Sequence, residues 1–448
     1  MDRYDESSGV LRLPWGREEI RITLPRTWSV AGVFEPAASA AVMDVPAETR
    51  RSILEPIGSR TIRELARPSA KVAIVIDDAS RPTPVSLMLP TVVEELEQAG
   101  VARSAITIVT ALGVHRPMSE DELRSRIGAG LSDITWENHD CDNHERLTYL
   151  GVTRLGTRVL LNATAAQADL IVSVGCIEPH LIASFGGGYK NLIPGVAARE
   201  TISFNHGLNC APATFNMVGQ PIERNPMRLD IEEAGRMIAA PVFIVNAVLD
   251  GALGVVRIVS GDAVEAHRAG VEVSRAVYGI SLAEPADVVI CDSHPMDQDL
   301  RQGAKALANT IRAVRRGGVQ VVLMRAEEGI GVFGLAERKL PVGRRGLRLL
   351  APLLAAVLPR VHIRGLADDE RLFLYSALQA MRHCRLIVCI PTMTAEKRAS
   401  FPFAELFATP QEALDRAHEL IGAHAAVAVF PSGGSTYPIP ALSRSGGE

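Results

Sequence analysis

The stretch "EPHLIASFGGGYKNLIPG", residues 178–195, sets His180, three consecutive glycines and Lys190 within one short segment. An imidazole can give or take a proton near neutral pH, and an amine can act as a nucleophile, a base or a tether. Gly186, Gly187 and Gly188 free the backbone for positive φ and close approach to a ligand, so their amides could form an anion-binding nest. The segment fits neither GxxxxGK[ST], because Asn191 follows Lys190, nor GxGxxG. Its bland alternative is a flexible turn carrying a surface lysine.

More chemistry collects at the ends of three apolar runs. "VAIVIDDASRPTP" ends in Asp77 and Asp78, with Arg81 just beyond; "ITIVTALGVHR" leads to His115 and Arg116; "DLIVSVGCIEPH" leads to Glu178 and His180. Each run is short, continuous and β-branched, the pattern of a strand covered on both faces in a parallel sheet. Ligands of such sheets bind beyond the carboxyl ends of the strands. Neighbouring strands would therefore bring two histidines, an arginine and several carboxylates to one crevice. Each group also has a structural reading: the aspartates as turn caps, Arg81 as the partner of a carboxylate, each histidine as an ordinary hydrogen-bonded side chain. His206, in "ETISFNHG", adds an imidazole suited to nickel, copper, zinc or iron. No HExxH-type spacing completes a protein-only metal site, so a metal here would take most of its ligands from elsewhere.

The elements that must position these groups follow from hydrophobic periodicity. "GVLRLPW" and "EEIRITLP" alternate as an antiparallel hairpin, and "ETRRSILEPIG" and "TIRELA" are helical pieces. From residue 71 strands alternate with helices; Ser119 and Glu122 form a capping box at the start of "SEDELRSRIG". A second series begins near 280 with "ADVVICD", a helix over "QGAKALANTIRAVRRGG", then "VQVVLM", "CRLIVCI" and "AAVAVF". The pattern predicts an α/β protein of two domains with mainly parallel sheets flanked by helices and an active-site crevice between them. The expected division is 1–279, with 415–448 packing back on it, and 280–414.

The 448 residues are 47% hydrophobic, 22% charged and 4% aromatic, the profile of a globular α/β chain too long for one core. A net charge of -4 gives no electrostatic case for nucleic acid or an acidic membrane, and no apolar run is long enough to span a bilayer. Six scattered cysteines without CxxC pairs, and no apolar leader, point to reduced core thiols and a cytoplasmic location.

The motifs "DDASRPTP", "GVHR", "EPHLIASFGGGYKNLIPG", "TISFNH" and "HPMDQDLRQGAKA" together resemble the nickel-pincer lactate racemase family, and they occur here in the family's order. The resemblance implies a racemase or epimerase that inverts C2 of a 2-hydroxy acid by hydride transfer. It implies nickel held by a pyridinium-3,5-bisthiocarboxylic acid mononucleotide, tethered to Lys190, with His206 as a nickel ligand. Asp78 and the glycines 186–188 would line the cofactor, and His115 and His180 would be the acid/base pair. Arg81, Gln302 and Lys305 would hold the substrate, with 280–414 acting as a lid. Cofactor-synthesis and nickel-insertion proteins would be the partners. Three departures stand out: Gly186 takes the place where the family's loop usually has serine, Tyr189 is bulky for its place, and Arg301 stands where a lactate-type pocket commonly has an uncharged or aromatic residue, suggesting a more polar substrate. Other readings are a non-catalytic carrier of the pincer nucleotide, or a lysine- or metal-dependent lyase using the same crevice.

Overall fold

The polar strand ends lie on a six-stranded sheet in the order 255–262, 242–249, 170–176, 72–77, 106–111, 135–138. The computed structural model describes residues 3–16, 18–37, 41–329, 342–361, 363, 366 and 368–439. All strand pairs in this sheet are parallel except that of Val242–Leu249 with Val255–Asp262. Strands Val72–Asp77 and Leu170–Cys176 are buried at every residue, which is why their sequences are continuous apolar runs rather than alternating ones. Helix Val85–Gln98 covers one face with Met88, Leu89, Val92, Val93 and Leu96, all fully buried. Helix Glu120–Ile127 starts at the expected capping box of Ser119 and Glu122. This sheet belongs to a unit made of Ala38–Asn209 and Gln220–Val277.

The other unit contains Met1–Ala37, Cys210–Gly219 and Tyr278–Glu448. Its sheet has six parallel strands in the order 405–407, 385–389, 314–323, 286–292, 426–430, 29–33. The α/β class with two mainly parallel, helix-flanked sheets is as the sequence led us to expect. The partition of the chain is not. Strand Ser29–Val33 pairs with Ala426–Phe430, which in turn pairs with Ala286–Asp292, so the N-terminal segment and the 415–439 segment both belong with the second series. The physical reason is the hairpin Val10–Trp15/Glu18–Thr23. Its buried face (Leu11, Leu13, Ile22), with Leu24 and Trp28, joins the core formed by Val288, Ile290, Val321 and Val429. The helix expected through "RAVRRGG" also ends early: Leu300–Thr310 gives way at Val314 to a strand containing Gly317 at φ +84°. All six cysteines are buried.

Candidate active site

Strand Val72–Asp77 pairs with Leu170–Cys176 on one side and Ile106–Ala111 on the other, both in parallel. The three polar strand ends therefore emerge at one edge of the sheet, the edge where parallel sheets place their ligands.

The two aspartates divide the work. Asp77 is buried and accepts from Thr83 Oγ1 at 2.5 Å and from the Arg126 guanidinium, which also donates to the Asp77 carbonyl at 2.8 Å. Burial raises its pKa, against the pull of Arg126. Asp77 is thus an anchor for its own loop. Asp78 turns the other way: Oδ2 meets His115 Nδ1 at 2.5 Å, and Oδ1 accepts from the Ser80 amide at 3.0 Å and hydroxyl at 2.5 Å. Burial works against its charge, but the hydrogen bonds from His115 and Ser80 and the Arg81 charge outweigh it and hold the carboxyl well below its ordinary range. An ionised Asp78 accepts a hydrogen bond from Nδ1–H of a neutral His115, which leaves Nε2 as the basic atom.

His180 is held in the opposite sense. It sits on a two-residue strand, Pro179–His180, paired with Ser184–Phe185, and its Nδ1 accepts from the amides of Ile182 at 3.3 Å and Ala183 at 3.1 Å. An accepting Nδ1 puts the proton of the neutral ring on Nε2. The intervening turn, with Ser184 at φ +64°, is braced by Asn209 and Asn225, whose side chains both donate to the Ile182 carbonyl, at 2.7 and 2.8 Å. Beside it, Arg81 is ion-paired with Glu178, both side chains largely buried. The pair realises the structural reading of Arg81; a guanidinium has five N–H donors, so one carboxylate does not exhaust it.

The glycine loop corrects the nest expectation. The Gly186 amide donates to the Glu178 carbonyl at 2.8 Å and the Gly188 amide to Asn246 Oδ1 at 2.8 Å, so these amides are committed within the protein. Gly187 and Gly188 take φ +75° and +62°; a Cβ on Gly187 would lie 2.7 Å from Asn246 Oδ1, and one on Gly188 would lie 2.8 Å from the Ala263 carbonyl. Glycine is required here for packing against the scaffold. Three side chains unremarked in the sequence reading brace the loop. Arg228, fully buried, donates to the Gly187 carbonyl at 3.1 Å; His267 Nε2 bonds the Gly186 carbonyl at 2.8 Å; Asn246 receives the Gly188 amide. Burial pulls Arg228 down to about 10 and lowers His267 well below its ordinary value. Glu232 ties Arg228 (3.2 Å) to Arg268 (2.8 Å). The only sequence signal for this cluster is the i,i+4 spacing of Arg228 and Glu232.

Lys190 follows in the short 3-10 turn Gly188–Asn191, which packs over the ends of strands 170–176 and 72–77. Asn191 fixes that turn by donating to the Val174 carbonyl at 3.0 Å. Tyr189, bulky for its place, is accommodated by Gly235, where any Cβ would overlap the tyrosine ring. His206 stands in the last turn of helix Arg199–Gly207, half-buried. Among the described residues no three His, Cys, Asp or Glu side chains are grouped to hold a metal. In the other unit, Arg301, Gln302 and Lys305 lie in the first turns of helix Leu300–Thr310, capped by Asp299 through the Gln302 amide at 2.7 Å. Lys305 Nζ approaches Met296 Sδ at 3.7 Å, and Gln302 Oε1 is buried and finds no hydrogen-bond partner among the described residues.

Residues 15–215 match the lactate racemase N-terminal domain. The chain is 28% identical to the lactate racemase of Thermoanaerobacterium thermosaccharolyticum over 72% of its length and 76% of that protein's. It is 26% identical to the lactate racemase of Lactiplantibacillus plantarum, over 86% of this chain and 88% of the relative. The lactate racemase apoprotein structure from T. thermosaccharolyticum superposes with a TM-score of 0.83 at 24% identity, covering 96% of this chain and all of that one. A Thermotoga maritima protein structure matches at a TM-score of 0.63 and 14% identity, over 91% of this chain. Among the described residues no helix is long and apolar enough to cross a membrane.

Proposed function

Starting from a chain that belongs to the lactate racemase family, we propose that it is an isomerase inverting C2 of a small 2-hydroxy acid. The observation that carries this reading is the opposed setting of two histidines. Asp78 accepts a hydrogen bond from His115 Nδ1–H, whereas backbone amides donate to Nδ1 of His180. One neutral ring thus offers a basic Nε2 that can take a hydroxyl proton and hand it back, and the other an Nε2–H that can hydrogen-bond the substrate oxygen as its charge changes. A carrier of a nucleotide would need neither.

The residues suit a tethered nickel-pincer mononucleotide in their chemistry. Lys190 offers a half-buried amine on a turn fixed by its backbone, and His206 offers an imidazole. Without a protein-only cluster among the described residues, a metal would draw its remaining ligands from an organic group. When bound, that group supplies a two-electron acceptor for the C2 hydrogen, which spares the site from forming a dianion next to the substrate carboxylate. The chain's own residues do the rest. His115 Nε2 takes the hydroxyl proton while Asp78 stabilises the imidazolium that forms. His180 donates its Nε2–H in a hydrogen bond to the substrate oxygen, and the His115 imidazolium returns its proton to that oxygen to complete the turnover. Arg81, steadied by Glu178, pairs with the substrate carboxylate through its remaining N–H groups. With the Gly186 and Gly188 amides turned inward, the glycine loop shapes the Lys190 turn. The substrate roles of Arg301, Gln302 and Lys305 rest on the family motif.

Chiral analysis of lactate, malate and sugar acids, with protein produced alongside the cofactor-synthesis proteins, tests the reading. Interconversion of one pair in both directions, lost in His115→Gln and in His180→Gln, is the expected result. A shift of substrate preference in Arg301→Ala would place that cation beside the substrate, and unchanged preference would remove it. A nickel-loaded chain that interconverts none of these acids would refute the proposal.

A further inference from the structure

A cavity of about 280 Å3 opens at the amino edge of the sheet in the unit containing 278–448, lined by Arg344, Arg345, Arg348, Arg385 and Arg416. The carboxylate in its wall is Glu405, on which Arg416 closes at 2.9 Å; Arg416 also reaches Glu419 at 2.7 Å. Among the described residues, these five guanidinium groups are set against two carboxylates, an excess of three positive charges. Two of the arginines are held in place by backbone carbonyls, Arg344 by Ala404 at 3.0 Å and Arg348 by Cys384 at 3.4 Å. Burial, and then the neighbouring Arg385, push Arg348 below its ordinary value, and Glu405 offsets this only in part.

The helix that carries three of them deepens the imbalance. Arg344–Val357 begins at Gly343 with no side-chain cap and no acidic residue in its first turn. Cations at a helix N-terminus oppose the helix dipole, whereas an anion there satisfies both the dipole and the exposed amides. Arg344 and Arg348, four apart, face the same side. The same cavity has an apolar part to its lining, Met381, Leu386, Phe403 and Leu420. Arg385 and Glu405 open their strands, so the cavity lies at the edge opposite the carboxyl ends from which the 293–305 segment departs.

We propose that this cavity is a second binding site, for a small organic phosphate whose anionic head is clamped by Arg344, Arg348 and Arg385 and whose carbon part rests on Phe403 and Leu386. Planar guanidinium forks match phosphate oxygens two at a time, and the volume suits a single ring with one phosphate better than a dinucleotide.

Isothermal titration of the full chain with phenyl phosphate, at constant ionic strength against a sodium chloride control, tests it. Saturable binding with one site is expected, with inorganic phosphate weaker because it leaves the apolar wall uncovered. The double variant Arg345→Ala/Arg385→Ala and the single variant Arg348→Gln should each bind at least tenfold more weakly while melting at the native temperature. Lys190→Ala should bind as the native chain does, which separates this site from any phosphate held near the glycine loop. Absence of saturable binding, affinity within threefold of native in both arginine variants, or loss of binding in Lys190→Ala would overturn the proposal.

Discussion

His115 Nδ1 lies 2.5 Å from Asp78 Oδ2, and the same carboxylate is pinned by the amide and hydroxyl of Ser80. The bond joins the ends of two adjacent parallel strands, so the register of Asp77 with Ala111 sets the reach of one side chain to the other. Its chemical effect is to fix which nitrogen of His115 is basic.

Replacing Asp78 by asparagine keeps the shape but offers an N–H where a carboxylate oxygen accepted one. Turnover should fall by at least ~10²-fold, following the behaviour of other orienting carboxylates beside catalytic histidines. Cofactor loading, read by intact mass, should not change. An Asp78→Asn chain that loads normally and turns over at the native rate would remove Asp78 from the acid/base apparatus.

The two histidines should also differ in the uncomplexed chain. In alkaline buffer, where both rings are neutral, nitrogen NMR of histidine-labelled protein should find His115 protonated on Nδ1 and His180 on Nε2. Matching tautomers would contradict the assignment of opposite roles.

Acid stability offers a separate check on Asp78. A carboxyl whose folded pKa is depressed stabilises the fold fully above its unfolded value of 3.8, and that contribution is lost as pH falls toward the folded value. The difference in denaturation free energy between the native chain and Asp78→Asn should therefore be flat from about pH 7 to about pH 5 and shrink only below that, where the unfolded carboxyl titrates. A difference that already declines between neutrality and pH 5 would mean that the carboxyl is not held down.

Gly188→Ala tests the braced loop. The substitution forces a side chain into φ +62° and against the Ala263 carbonyl and Arg228. A cost of about 1–3 kcal/mol is expected from the backbone conformation alone. Urea denaturation would measure it, and an unchanged midpoint would show that the loop tolerates a side chain and that its glycines have another purpose.

How far the sequence carries follows from which forces are local. Strands such as "VAIVID" and "LIVSVGC" are legible because burial on both faces demands an uninterrupted apolar run. Their polar ends are legible because Asp78, His115 and His180 interrupt such runs where a parallel sheet presents ligands. Unit membership was not legible, since Ser29–Val33 finds its partner strand only at Ala426–Phe430, and nothing in a strand's own pattern names its neighbour. Nor was the support of the glycine loop. Arg228, His267 and Asn246 come from three separate elements, and each taken alone resembles an ordinary polar side chain. The loop's amides were expected to be available to an anion, but the fold turns two of them inward.

The most direct test of the account is the intact mass and nickel content of protein produced together with cofactor-synthesis and nickel-insertion proteins, for the native chain and for Lys190→Ala. The account predicts a mass increment equal to the pincer mononucleotide and about one nickel per native chain, as expected for a cofactor held in a single site, and neither a covalent increment nor retained nickel in the variant. A native chain that stays unmodified and nickel-free, while a known lactate racemase loads normally beside it, would contradict the account and leave Lys190 in need of another partner.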